Sequence, residues 1–157
     1  MTKKIFLPIL LTALTLTSFG QTNIDPKGTY EYKGKTAKIN GTVFGPYVGT
    51  IQVKTVSTEE IVMAFYICKG APSFNSGSFI DTLKFVNNTA IFTDPESDST
   101  CKITFSFDKK GVTVKEETAD YNSGCGFGHA VVADGRFRKT LSKQPKLVDP
   151  LTEQEIK

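Results

Sequence analysis

Cys101-Lys102-Ile103-Thr104-Phe105-Ser106-Phe107 alternates apolar and polar side chains without a break, and Asp108-Lys109-Lys110-Gly111 separates it from a second alternating run, 112–117. Successive side chains of an extended strand point to opposite faces, so Cys101, Ile103, Phe105 and Phe107 share one face while Lys102, Thr104 and Ser106 share the other. That is the pattern of a sheet with one wet side. Asp and Gly at the turn favour a tight antiparallel return.

The same period of two continues in both directions. Strands are expected over 28–33, 37–44, 47–54, 60–68, 78–86, 89–93, 101–107, 112–117, 130–133 and 136–140, and no stretch of helical length carries an i, i+3, i+4, i+7 stripe. Asn87-Asn88 and Asp134-Gly135 read as further hairpin turns. The fold expected is therefore all-β: an antiparallel up-and-down meander of about 8–10 strands closing into a small barrel, with a β-sandwich as the alternative. The run from Ile61 to Cys68 is apolar on both faces, so one face fills the interior and the other is covered, by a terminal segment or a partner. After Thr140 the chain carries Pro145 and Pro150 and alternating charge, and 142–157 reads as a flexible C-terminal tail.

Upstream of the strands, Lys3-Lys4 precedes an apolar run from Ile5 to Leu16, followed by Ser18 and Gly20. This is the pattern of a secretory signal peptide over 1–20, cleaved after Gly20. The apolar run is too short for a bilayer span, which needs about 20 residues. The product is expected in the periplasm or outside the cell, as a single domain over 21–141. The chain has 157 residues and a net charge of +3 from 19 Lys/Arg against 16 Asp/Glu, and removing Lys3 and Lys4 leaves 17 against 16. So even a balance gives no support to a nucleic-acid or anionic-membrane partner, which needs a basic excess on one face.

Export places the three cysteines in an oxidising compartment. Cys101 and Cys125 are expected to pair, because the hairpin through Gly111 returns the chain toward the start of the 101–107 strand. Cys68, at the end of an apolar strand, reads as a buried thiol. Three cysteines and one histidine leave little for a zinc cluster or a multi-histidine metal centre, and neither a metal nor a cofactor is expected. Any histidine-based acid–base or nucleophilic scheme would have to run through His129, beside a cysteine expected to be oxidised, so no enzyme is expected. Glu116 and Glu117 fall on opposite faces of one strand and cannot line one cleft. Asp94-Pro95-Glu96-Ser97-Asp98 has alternating oxygen ligands but lacks the Gly and terminal Glu of a calcium loop, so it reads as a solvated turn.

Two loops remain as binding candidates. One offers Phe74, Ser76, Gly77 and Phe79, and the other, Gly124-Cys125-Gly126-Phe127-Gly128-His129, offers Phe127 and His129; both set aromatic side chains among Gly and Ser. Asp81, in phase with Phe79, Leu83 and Phe85, is expected to be buried or to face the lumen, where it could meet a ligand. Two classes of partner follow: a protein engaged by loops at one barrel end, or a small apolar ligand carried inside a barrel lined by some of the 12 Phe and 5 Tyr.

The end of the chain, with Cys125 to Gly128, Ala130 to Val132 and Gly135-Arg136-Phe137, resembles a group of small exported Gram-negative proteins with no assigned activity. Ser76-Gly77-Ser78-Phe79 is similar to the Ser-Gly-x-x-Tyr loop of periplasmic inhibitors of C-type lysozyme, which are small β-barrels, with Phe79 at the tyrosine position. That likeness implies a loop entering a lysozyme cleft. Gly28-Thr29-Tyr30 resembles the Gly-x-Trp of lipocalin-like barrels, and implies that Arg136 or Arg138 covers a barrel end.

Overall fold

The computed structural model describes residues 23–156; the signal peptide expected over 1–20 lies outside them. The strands are β1 (Gly28–Lys33), β2 (Ala37–Ile39), β3 (Thr42–Phe44), β4 (Val48–Thr55), β5 (Glu60–Cys68), β6 (Ser76–Val86), β7 (Thr89–Asp94), β8 (Asp98–Asp108), β9 (Gly111–Glu117) and β10 (Gly135–Leu141). Eight of them close into an antiparallel barrel in the order β1-β10-β9-β8-β7-β6-β5-β4, which decides for the barrel over the sandwich. Closure comes from β1, which pairs with β4 on one side and β10 on the other.

The deciding stretch behaves as its alternation requires. Cys101, Ile103, Phe105 and Phe107 are buried, and Phe105 lies opposite Val114 on β9. At the centre of the barrel the Phe65 ring lies 5.2 Å from Phe79, 5.6 Å from Phe105, 6.1 Å from Phe127 and 5.9 Å from Phe137, centroid to centroid. Aromatic area therefore fills the interior around Phe65 instead of lining a hollow. Tyr30 closes the end below, its hydroxyl donating to the Pro26 carbonyl at 2.5 Å.

Five expectations are corrected. The run 37–44 is two short strands, β2 and β3, which form a hairpin outside the barrel because Asn40 and Gly41 both take positive φ and reverse the chain. No strand forms over 130–133, where Ala130 takes φ 53 and the Val131 N–H donates to the Gly128 carbonyl. Asp134-Gly135 is consequently not a hairpin turn; Asp134 instead accepts from the Glu116 N–H at 2.7 Å, and β10 starts at Gly135. The segment after Thr140, expected as a flexible tail, folds back: Leu147 is buried and the Val148 N–H donates to Gln52 Oε1 at 2.8 Å. Val148, Asp149 and Pro150 line one small cleft with Ala64 and Tyr66, so this segment lies over part of the outer face of β5, where Ala64 is buried.

The fifth correction concerns Asp81, which is exposed. The β6–β7 ladder holds only Phe85↔Ala90 and Val86↔Thr89, so the two strands part above the Asn87-Asn88 turn. Asp81 has the phase of the interior residues, but it stands at this parting and accepts from the Thr82 N–H at 2.7 Å. A charge at an open strand edge discourages pairing with other chains. Behind it, Phe79 stacks on Phe92 at 3.8 Å and seals the core.

Candidate functional site

β1, β5, β7 and β9 all end at the same rim, so the β2–β3 hairpin, the 69–75 loop, the 95–97 turn and the long 118–134 loop gather at one end of the barrel. Both candidate loops lie here and are joined. The Gly128 N–H donates to the Ser76 carbonyl at 2.9 Å, while Lys69 Nζ and Asn75 Nδ2 donate to the His129 carbonyl at 2.7 and 3.0 Å.

The Gly-rich segment is held from several sides. Cys125 is disulfide-bonded to Cys101 across 24 residues, and it takes a positive φ of 56° inside a short 3-10 turn, Gly124–Gly126. Asp98 holds both flanks: Oδ2 accepts from the Thr118 hydroxyl at 2.7 Å and the Cys125 N–H at 3.2 Å, while Oδ1 accepts from the Thr100 hydroxyl and N–H. These donors, the Thr100 hydroxyl foremost, hold the Asp98 carboxyl well below the usual carboxylate range. In the same turn Asp94 accepts from the Ser97 N–H. The acidic loop thus spends its oxygens on its own chain, and among the described residues no group of three His, Cys, Asp or Glu side chains is placed to hold a metal.

Phe127 follows the turn and drops into the barrel mouth. It is only 7% exposed, and its ring lies over Gly77 so closely that a Cβ there would come within 2.3 Å of it. Phe127 is therefore a plug, not the exposed aromatic expected of a contact loop. Ser76, Gly77 and Phe79 belong to β6, with Gly77 under Phe127 and Phe79 against Phe92, so they form no projecting loop. His129 is exposed and presents its carbonyl, not its ring, to the neighbouring loop. Arg136 and Arg138 stand on the outer wall, Arg136 donating to Asp108 and Thr113, and do not cover the barrel end.

Phe74 keeps the place expected of it. It is 67% exposed with φ 54°, and its N–H donates to the Gly70 carbonyl. The free cysteine shapes this loop: Cys68 is buried, its thiol donates to the Phe74 carbonyl at 3.5 Å and its sulfur accepts from the Gly70 N–H at 3.4 Å. A backbone bridge between Gly45 and Ala71 ties the same loop to the β2–β3 hairpin, which carries exposed Ile39, Val43 and Phe44. Sequence reading merged this hairpin into a longer strand and so missed its apolar surface; the Asn40-Gly41 pair was the available signal.

Glu116 was also missed as a buried group. It is 0% exposed, with Oε2 accepting from the Ala133 N–H at 2.7 Å and Oε1 lacking a partner among the described residues. Burial raises its affinity for a proton, and the nearby Asp134 and Asp98 charges push the same way against the Ala133 hydrogen bond. Glu117 is exposed on the opposite face and pairs with Lys102 at 2.7 Å. The arrangement positions backbone and exposed aromatic groups; Cys125 is committed to its disulfide and offers no thiolate beside His129.

No known family model, no curated protein and no solved structure matches this chain. Its barrel, its disulfide and the absence, among the described residues, of any helix long and apolar enough to cross a membrane are compatible with export.

Proposed function

We propose that this protein is an exported, non-catalytic binding protein that engages a protein partner through the loop end of its barrel. The observation that carries the reading is Phe74, a large apolar side chain held outward on a loop braced by Cys68, Gly70 and the Gly45–Ala71 bridge, beside a hairpin that exposes Ile39, Val43 and Phe44. Anchoring aromatics that lose little entropy on binding are the usual centres of protein interfaces. Five of the residues expected to make contact divide into two groups. Phe74 and His129 face outward, and Phe127, Gly77 and Phe79 support them from within the core. The alternative of a small apolar ligand inside the barrel has less support, since Phe65 and its neighbours occupy that space.

The test is a photo-crosslinking residue at position 74, with one at position 58 on the opposite end as control. The captured protein is then purified and its affinity measured, with C-type lysozyme inhibition as the first assay. A partner bound at least tenfold more weakly by Phe74→Ala, with an unchanged melting temperature and no effect of Thr58→Ala, is the expected result. Equal adduct yields from both ends, or wild-type affinity in Phe74→Ala and Phe44→Ala, overturn the reading.

A further inference from the structure

The charge balance of the sequence conceals an uneven distribution. Where β10 meets the β8–β9 turn, Lys109, Lys110, Arg136, Arg138, Lys139 and Ser142 line one open groove of about 600 Å³. Backbone pairing builds it: the Lys139 N–H donates to the Lys110 carbonyl at 3.0 Å, and Arg138 lies opposite Gly111, so the turn and the strand set their cations side by side. Arg136 and Arg138 share the outer face of β10 while Phe137 between them is buried.

Few acids answer this cluster. Asp108 is taken up by Arg136 at 2.7 Å and by the N–H groups of Lys110 and Gly111. Asp25 pairs with Lys27, and Lys139 Nζ donates to the Asp25 backbone carbonyl while lying 5.3 Å from the centroid of the Tyr30 ring. Among the described residues Lys109, Lys110 and Arg138 form no ion pair.

The groove opens at the end of the barrel opposite Phe74. At that end Val56 follows β4, Val86 closes β6 and Leu141 ends β10, and all three are exposed. Unpaired cations at the same barrel end as exposed aliphatic side chains fit a surface that is anionic outside and apolar beneath. Single-stranded nucleic acid fits less well, because its bases need aromatic platforms, no aromatic residue lines the groove, and Tyr30, whose ring lies under Lys139, is buried.

We propose that this end of the barrel docks on an anionic lipid surface, with Lys109, Lys110 and Arg138 meeting headgroup phosphates and Leu141 and Val86 reaching the headgroup boundary. Such docking is peripheral and does not depend on the loop-end partner; it leaves Phe74 facing away from the surface. Each cation near such a surface contributes roughly fivefold in binding, and salt weakens the sum.

Sedimentation of the purified protein with phosphatidylcholine vesicles, with and without phosphatidylglycerol, at low and high salt, tests the proposal. Binding is expected only with phosphatidylglycerol and is lost at high salt. Lys109→Ser/Lys110→Ser should weaken it by about thirtyfold, Leu141→Ser should weaken it several-fold, and Lys35→Ser/Lys38→Ser on the loop end should leave it unchanged. Circular dichroism melts establish that each variant is folded. No sedimentation with phosphatidylglycerol, equal sedimentation with phosphatidylcholine alone, or equal loss in the Lys35/Lys38 variant overturns the proposal. So does retention on heparin or duplex DNA through Lys109 and Lys110 without vesicle binding.

Discussion

The 118–134 loop and the β2–β3 hairpin sit at the same end of the barrel and are opposites. The hairpin has regular pairing, Ala37 opposite Phe44 and Ile39 opposite Thr42, yet every residue of both its strands is exposed. The loop has no regular structure beyond one 3-10 turn, yet Cys125, Phe127, Val131 and Ala133 are buried along it. Backbone regularity and rigidity are thus separate properties. The loop is held by a disulfide, by Asp98 and Glu116 beneath it and by a ring in the core, whereas the hairpin is held by its own ladder and the bridge from Gly45 to Ala71. A two-stranded ribbon without a buried face is only marginally stable.

The strongest way to break this contrast is to remove the disulfide. Cys101→Ser and Cys125→Ser should each cost about 2–5 kcal/mol in denaturant unfolding. The amides of Phe127 and Gly128 should then exchange with solvent as fast as those of the hairpin; if they stay protected, the ring packing and hydrogen bonds hold the loop without the bridge. Thiol counting on the oxidised, unfolded protein should find Cys68 alone reactive.

A smaller effect separates the two carboxyls beneath the loop, because their shifts have opposite signs. Asp98 is held below its ordinary value of 3.8, so its contribution is present above that pH and is lost as pH falls toward the depressed pKa. Glu116 is raised above its ordinary value of 4.5, so its contribution is full below that pH and is lost as pH rises through the raised pKa. Stability measured against pH should decline on the acid side through Asp98 and on the upper side through Glu116. Asp98→Asn is expected to flatten the first limb and Glu116→Gln the second. A wild-type profile in either variant would remove that residue from the bracing of the loop.

The smallest effect belongs to the hairpin. Phe44→Ser should change stability by no more than about 0.5 kcal/mol, as for exposed positions away from any special feature. A larger loss in a thermal melt would mean that the hairpin's exposed face is braced against the barrel, and the contrast with the loop would shrink.

Much of this was legible in advance where a local rule had no competitor. The 101–107 strand, its turn and the 112–117 return follow from alternation, and the Cys101–Cys125 pairing follows from the length of that return. The Gly-rich loop was located but its inside was misjudged. Whether Phe127 faces solvent or Phe65 depends on a hole above Gly77, which is made by residues 50 positions away in the chain. Asp81 failed for a related reason: alternation assigns it to the interior, and only the parting of β6 from β7 lets it out. The apolar outer face of β5 predicted a cover, while its supply by 147–150 depended on the return of the chain end to Gln52.

The sequence by itself determined the class of structure, because strand periodicity and turn chemistry act over a few neighbouring residues and survive without a partner. It also determined the pairing of the cysteines, through the short return that joins them. Tertiary structure alone decided which loop residues face outward, where Glu116 lost its water and how near-balanced charges separated into one basic groove. Those outcomes depend on which strands lie side by side, and barrel closure, which joins β1 to β10 across the whole length of the domain, is a property of no local stretch.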